Sequence, residues 1–581
     1  MSTTSNIVDT LRLLVERLAR YGEAPAGTRS EYLLAKEIKS LFEEEAGVDA
    51  RLIPLPVNAW VDEGSLVHAC GREVRAAAWP GHAGSEVEGE AVAINSIDDL
   101  WKRSVEGRIV VAELPRDPDR TLVFYNAARR RGAAGIVFYD WLSGRFRRIV
   151  VSDAPLTLES TGLASIPVVH VRREYAHDIL SCRELRLVHG GRMESSYGYI
   201  VEAILELGSG DHEVIVSAHH DNWFSGANDN LSGVAAVLAV AKLAQSLAGA
   251  SGRIRLVSFT AEEFGDPRLP GWYWAYGSRE YAAMLKAAGL LDDVVAVLNF
   301  DMAAVHGASL YSTPMLRRIL VRLADSLGLE FASVEPDTTD SDSFSFSSIG
   351  LEAATIMGYD TWLELYHTDM DTPARLDYEV LALAVRLYAE ASIELLKKGW
   401  RLFSYNDYVK ELHDSLRVFP PLAASLYKLQ RITEAAESRG LYRLLGRAYR
   451  MLNAVLPVTV YSEKYSGDVE LESYTALPLL YLRDLDILQA ARDAAKKGDC
   501  ERVLSAIRGL DVFRATVRGG LVPAPAGLPG TISTQDCRSL ARAISAVERA
   551  ARRMVWMSST RAAESLEEVY SILAEAIESL G

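Results

Sequence analysis

HHDNWFSGANDNLSG, residues 219–233, joins two apolar runs of different character. Before it stands Val214-Ile215-Val216, short and β-branched, which reads as a buried strand. After it, Val234 to Leu243 has the length and composition of a helix. His219, Asp221 and Asp229 therefore fall on the connection after a strand, the place where α/β sheets collect ligands and active sites. Histidine and aspartate bind divalent cations such as zinc. In a His-x-Asp pair the Asp can hydrogen-bond the second ring nitrogen of a ligating His and fix its tautomer. A further Asp at 229 could bridge two metals. One His-x-Asp is weak on its own, so the assignment depends on ligands at other strand ends.

The chain has 581 residues, 49% of them apolar, and a formal net charge of −16. That length allows several domains. The negative charge argues against nucleic acid, whose binding needs a basic face. No phosphate loop of the GxxxxGK[ST] type occurs. The first residues carry charges throughout, and no run is long and uncharged enough to span a membrane. A soluble cytoplasmic protein without membrane or nucleic-acid partners is expected. Cys70, Cys182, Cys500 and Cys537 are expected as free buried thiols, with pairing within 70/182 and 500/537 as the alternative.

The patterning divides the chain into four. Residues 1–59 read as helices followed by the strand AGVDARLIPLP, ended by Pro54 and Pro56. Residues 60–195 are rich in short β-like runs such as RIVV, GIVFY and IPVV, a β-rich domain inserted into the first. His170 in that stretch reads as a structural histidine. Residues 196–400 alternate strands with helices. This pattern predicts an α/β fold with a mixed, largely parallel sheet sandwiched by helices. Residues 401–581 read as a helical C-terminal domain.

Four further places in the α/β part carry chemistry. Glu262-Glu263 follows RIRLVSF; Asp301 ends VVAVLNF; Ser341-Asp342 lies in an acidic loop; Tyr366-His367 precedes Asp371-Thr372-Pro373. Together with His219 and Asp229 they offer two His, two Asp and one Glu as ligands for two zinc ions, each with a His, a terminal carboxylate and a shared carboxylate. The spare Glu is the general base that metal-assisted hydrolysis needs.

The order HxD…GAxDNxSG…EE…NxDM…YH resembles the co-catalytic dizinc exopeptidases of clan MH, among them leucyl-type aminopeptidases and glutamate carboxypeptidase II. Trp223 and Gly226 keep the spacing of the carboxypeptidase branch, and GRIVVAELP, RGAAGIVFYD and ASIPVVHV look like the family's inserted protease-associated domain. The resemblance implies two Zn2+ per chain: His219 and Asp301 on one, Glu263 and His367 on the other, Asp229 bridging, and a cis peptide between Asp229 and Asn230. It implies Asp221 as the partner of His219, Glu262 as general base and Tyr366 as donor to the oxyanion.

One departure is the insertion FGDPRLPGWYWAY, residues 264–276, after the Glu pair. Its Trp272 and Trp274 could wall a substrate pocket or pack a longer loop onto a neighbouring domain. The expected activity is removal of N-terminal residues from peptides, with Asp342 in the acidic loop meeting the substrate's amino group. A glutamate-carboxypeptidase-like enzyme is the alternative. It would need arginines at the site. None lies between Arg322 and Arg375, although Arg129, Arg130, Arg131, Arg145, Arg147 and Arg148 of the insert could reach over. A silent binding protein of the transferrin-receptor type should have lost ligands or base, and a single-zinc acyltransferase like the glutaminyl cyclases would not need the second half-site. The architecture also implies a homodimer through the C-terminal helical domain.

Overall fold

The computed structural model describes the chain except residues 1, 154–161, 248, 250, 266–272, 467–468, 517–521, 525–539 and 580–581. At its centre is a mixed eight-stranded sheet. Its spatial order is Ala50–Asp62, Gly191–Glu206, Arg253–Phe259, Glu213–His219, Val294–Asp301, Ala353–Met357, Ser309–Ser312 and Val334–Glu335. The four strands from Arg253–Phe259 to Ala353–Met357 run parallel. Antiparallel strands flank them on both sides. The parallel strands are buried along almost their whole length and mostly apolar because helices cover both faces. Side chains alternate across the sheet. Val214, Val216 and Ala218 join the core under helices Ser2–Leu18, Arg29–Glu45, Ser232–Ser246 and Tyr378–Lys398. Ile215 points the other way, into a smaller core with Phe259, Tyr281 and Phe346.

Local signals place these helices. Thr28 caps Arg29–Glu45, its hydroxyl accepting from Glu31 N–H at 3.2 Å. Asp377 caps Tyr378–Lys398 by accepting from Glu379 and Val380 N–H. The strand expected to stop at Pro54 and Pro56 instead runs through both to Asp62. It lies at the sheet edge, where its outer side is unpaired, and an imino acid there removes no ladder bond.

Between Asp62 and Gly191 the chain builds a closed barrel of seven strands, in the order Ser65–Ala69, Arg72–Ala78, Val168–Val171, Gly135–Tyr139, Ile109–Glu113, Ser85–Ile94 and Glu184–His189. Cys70, in the turn between the first two of these strands, is disulfide-bonded to Cys182 with Cα atoms 5.6 Å apart. The expected free thiols are corrected. Cys182 precedes the strand that pairs with Ser65–Ala69, so barrel closure brings together residues 112 apart in sequence. Cys500 is also disulfide-bonded; Cys537 lies outside the described residues.

Beyond residue 400 helices predominate, and the long Ala541–Ser579 packs along Pro420–Ser438 and Leu477–Lys497. This region also holds an antiparallel three-stranded sheet that the helical expectation lacked, ordered Val469–Ala476, Pro457–Lys464, Asp511–Thr516. Short β-branched runs such as Val458-Thr459-Val460 carry too few residues for a period to be read.

Candidate metal centre

The four parallel strands end on one edge of the sheet, and the ligand set gathers there. His219 and Asp301 are the last residues of their strands, and Glu262-Glu263 follow the end of Arg253–Phe259. His367 comes from the loop after Ala353–Met357, and Asp229 from the connection into Ser232–Ser246. Two groups result, His219/Asp229/Asp301 and Asp229/Glu263/His367, each with its ligand atoms within 4.8 Å of one another and each buried.

His219 Nε2 lies 3.4 Å from Asp229 Oδ1 and 3.7 Å from Asp301 Oδ1. His367 Nε2 lies 3.3 Å from Asp229 Oδ2 and 2.7 Å from Glu263 Oε2. Ligand atoms about 2.0–2.2 Å from a tetrahedral zinc would be about 3.3–3.6 Å apart, so all but the Glu263 contact are already near that spacing. The chemistry of these atoms tests the fit further. Asp229 Oδ2, Glu263 Oε1, Asp301 Oδ1 and His367 Nε2 are buried without a hydrogen-bond partner. Buried polar atoms are rarely left so. Two cations shared through Asp229 would satisfy all four.

The surroundings hold each ligand in place. His219 Nδ1–H donates to the backbone carbonyl of Asp221 at 3.1 Å, not to its carboxylate, 3.8 Å away. That carboxylate accepts the N–H groups of Glu262 and Glu263, both at 3.1 Å. Asp221 thus fixes the backbone of the Glu pair. Trp223 Nε1–H donates to Glu263 Oε2 at 2.9 Å. The Asp229–Asn230 peptide is cis, and Asn230 Nδ2 donates to Phe300 O at 2.8 Å. Asp371, whose role the sequence did not reveal, accepts Asn228 N–H at 2.9 Å and Asp229 N–H at 3.1 Å. Only the neighbouring Asp371-Thr372-Pro373 hinted at it, as a polar turn beside His367.

The backbone is tight here. Ala261, Met302 and His367 have φ of 59°, 50° and 56°, an uncommon region for residues with a Cβ that concentrates at functional sites. Gly226 takes φ 51° where a Cβ would stand 2.4 Å from that of Asn222, so the turn into Asp229 admits only glycine.

Burial pushes the Glu262 carboxyl well up; His219 opposes, and Asp342, Asp301 and Glu263 add to the rise. Burial likewise raises Glu263 to about 7. For His367 burial acts downward, but the acidic neighbours Glu263 and Asp229 win and raise it to about 9. A dense buried set of acids beside two imidazoles is a trap for cations. Glu262 Oε2 lies 3.9 Å from His219 Nε2, at the border of the cluster. The Tyr366 ring stacks on that of His367, 3.6 Å between centroids, and burial followed by Glu263 holds its phenol protonated.

Asp342 is buried at the start of helix Ser343–Ser347, and neither carboxylate oxygen has a partner. Trp274 donates to Thr339 O at 2.6 Å and packs with Tyr461 and Phe513 of the C-terminal sheet. Trp272 lies outside the described residues. His170 is structural: its Nδ1 accepts Arg147 N–H at 3.3 Å, and burial keeps the ring neutral.

Residues 201–392 match the model of Peptidase family M28. No curated protein matches the chain. Among solved structures, a zinc aminopeptidase from Bacillus subtilis is 21% identical with a TM-score of 0.52, covering 68% of this chain and 95% of its own. A peptidase M28 precursor from Shewanella amazonensis is 20% identical with a TM-score of 0.53, covering 68% of this chain and 97% of its own. These likenesses are of fold. The chain carries a metallopeptidase domain, and that domain is of peptidase family M28, within the clan that the motif order resembles.

Proposed function

We propose that the chain is an aminopeptidase that holds two zinc ions, one on His219, Asp229 and Asp301 and the other on Asp229, Glu263 and His367. The observation that carries this reading is the pair of buried triads sharing Asp229, with four ligand atoms lacking partners. Zinc held by these residues would supply a lowered pKa to a bound water and polarisation of the scissile carbonyl. Glu262, beside both triads but outside them, accepts the proton of the attacking water and delivers it to the departing amine. The Tyr366 hydroxyl donates to the developing oxyanion. Asp221 and Trp223 keep the Glu pair oriented, so that base and ligand do not exchange roles.

Two features favour the amino end of a peptide. Asp342 is an unpartnered buried carboxylate whose charge is felt by Glu262, suited to an α-ammonium. The arginines that a carboxylate-recognising site would need are committed elsewhere. Arg129 pairs with Asp153, Arg130 with Glu463, Arg147 with Asp140, and Arg148 with Glu23 and Asp62; Arg145 donates to Glu364 O and Arg131 to Arg103 O. Complete triads with the base in place likewise favour an enzyme over a silent binder.

Aminoacyl anilides and N-blocked dipeptides, assayed on protein of measured zinc content, test the proposal. Anilides should be cleaved, with close to two zinc per chain. Asp342→Asn should raise KM for free-amine substrates about tenfold or more, the worth of one charged hydrogen bond. Cleavage of blocked dipeptides with inert anilides would reject the aminopeptidase reading.

A further inference from the structure

The loop that carries Tyr366 and His367 follows the four-residue helix Tyr359–Trp362, and beyond Trp362 it has no strand or helix of its own until Pro373–Arg375. Besides its own turns, such as Leu365 and Tyr366 N–H donating to Trp362 O, what holds it comes from the inserted barrel, more than two hundred residues away in sequence. The Arg147 side chain is 1% exposed. Its guanidinium donates from Nη1 to the carbonyls of Leu363 at 3.0 Å and Tyr366 at 2.5 Å, and from Nη2 to Glu364 O at 2.9 Å. Its Nε donates to Asp140 at 2.9 Å, and it lies over the Trp141 ring, 4.6 Å from the centroid. The neighbouring backbone continues the grip. Arg147 forms a β-bridge with Thr368, and Arg148 N–H donates to His367 O at 3.0 Å. Phe146 N–H donates to Asp369 Oδ1 at 2.9 Å. His367 Nδ1–H in turn donates to the Arg148 carbonyl at 3.2 Å, leaving Nε2 toward Asp229 and Glu263.

We propose that Arg147 is a positioning residue through which the inserted barrel sets the His367 half of the metal centre and the placement of Tyr366. A planar fork that binds three carbonyls and a carboxylate at once fixes the loop in one conformation, including the left-handed backbone at His367. The Arg148 carbonyl then selects the His367 tautomer with a free Nε2. The insert is on this view part of the site's framework, while His219 and Asp301 of the other half end strands of the sheet, and Asp229 is common to both halves. The inference rests on the reading of His367 as a ligand.

Cobalt(II) titration of metal-free protein, followed by d–d absorption, tests it alongside steady-state kinetics. Wild type should take up two equivalents, and His367→Ala should lose one. Arg147→Met should weaken that same equivalent about 10–100-fold, the usual effect of removing an outer hydrogen-bond partner, and leave the other unchanged. kcat should fall more than KM rises, and Arg147→Lys should recover part of the loss. Because Arg147→Met strands the buried Asp140, the double variant Asp140→Asn/Arg147→Met serves where the single one does not fold, and the one weakened equivalent should persist in it. Folded Arg147 variants that bind both equivalents like wild type, or that weaken both together, overturn the inference. If His367→Ala keeps both equivalents, the ligand assignment itself fails and the inference falls with it.

Discussion

Glu262 and Glu263 are adjacent in sequence yet sit differently against the ligands. Glu263 shares a triad with His367 and Asp229, and Trp223 steadies it; Glu262 stands outside both triads. Glu262→Gln should therefore keep both metals and lose about 10²–10⁴-fold in turnover, since Gln still hydrogen-bonds water but cannot take its proton. Glu263→Gln should lose metal along with activity. Metal analysis beside kcat separates the two, and zinc loss from Glu262→Gln with retention in Glu263→Gln would mean the roles are exchanged. These residues were legible because strand ends with His, Asp and Glu recur in one order along the chain. The action of Asp221 was not. Adjacency to His219 suggested a bond from its carboxylate to the ring, whereas the carboxylate reaches residues 41 and 42 positions on. Which partner a short side chain finds across a sheet edge depends on how neighbouring strands align, and local spacing does not contain that.

Among the elements, the barrel carries its own pH sensitivity. Burial, with a smaller repulsion from His82, lowers His189 to about 4, and Arg148 acts in the same direction; Trp79 O and Asp62 oppose. The ring is held neutral, Nδ1 accepting Gly191 N–H at 3.1 Å and Nε2–H donating to Trp79 O at 3.1 Å. A histidine depressed from its usual value of 6.5 contributes stability that is present above 6.5 and lost as pH falls toward about 4. Its full loss amounts to about 3 kcal/mol. Asp337 and Glu352, each raised by burial to about 7, act oppositely, losing their contribution as pH rises. The comparison must therefore be between wild type and His189→Gln: the difference in their urea midpoints should shrink from pH 7 to pH 4.5, and a constant difference would count against it. The strands of the barrel were readable as short β-branched runs, as was the parallel core of the sheet. The edge strand through Pro54 and Pro56 was not, because proline is excluded only where both sides of a strand are paired, and the edge is a property of the assembled sheet.

At the scale of the whole molecule, the C-terminal helical region leaves Val418, Tyr427, Trp556 and Met557 well exposed. We propose that this region forms the interface of a homodimer. Light scattering at micromolar concentration should give twice the mass of the 63.8 kDa chain, and a clean monomer would reject it. Among the described residues no helix is long and apolar enough to cross a membrane. The sequence by itself determined the α/β core and the order of the candidate metal ligands, since buried parallel strands must be largely apolar and the His, Asp and Glu residues stand at or after their ends. Only the tertiary structure decided that the barrel's Arg147 and Arg148 secure the His367 loop, that Asp371 holds the backbone of Asp229, and that Cys70 meets Cys182. Each of these contacts joins residues more than a hundred positions apart, through carbonyls and side chains whose meeting no local period records.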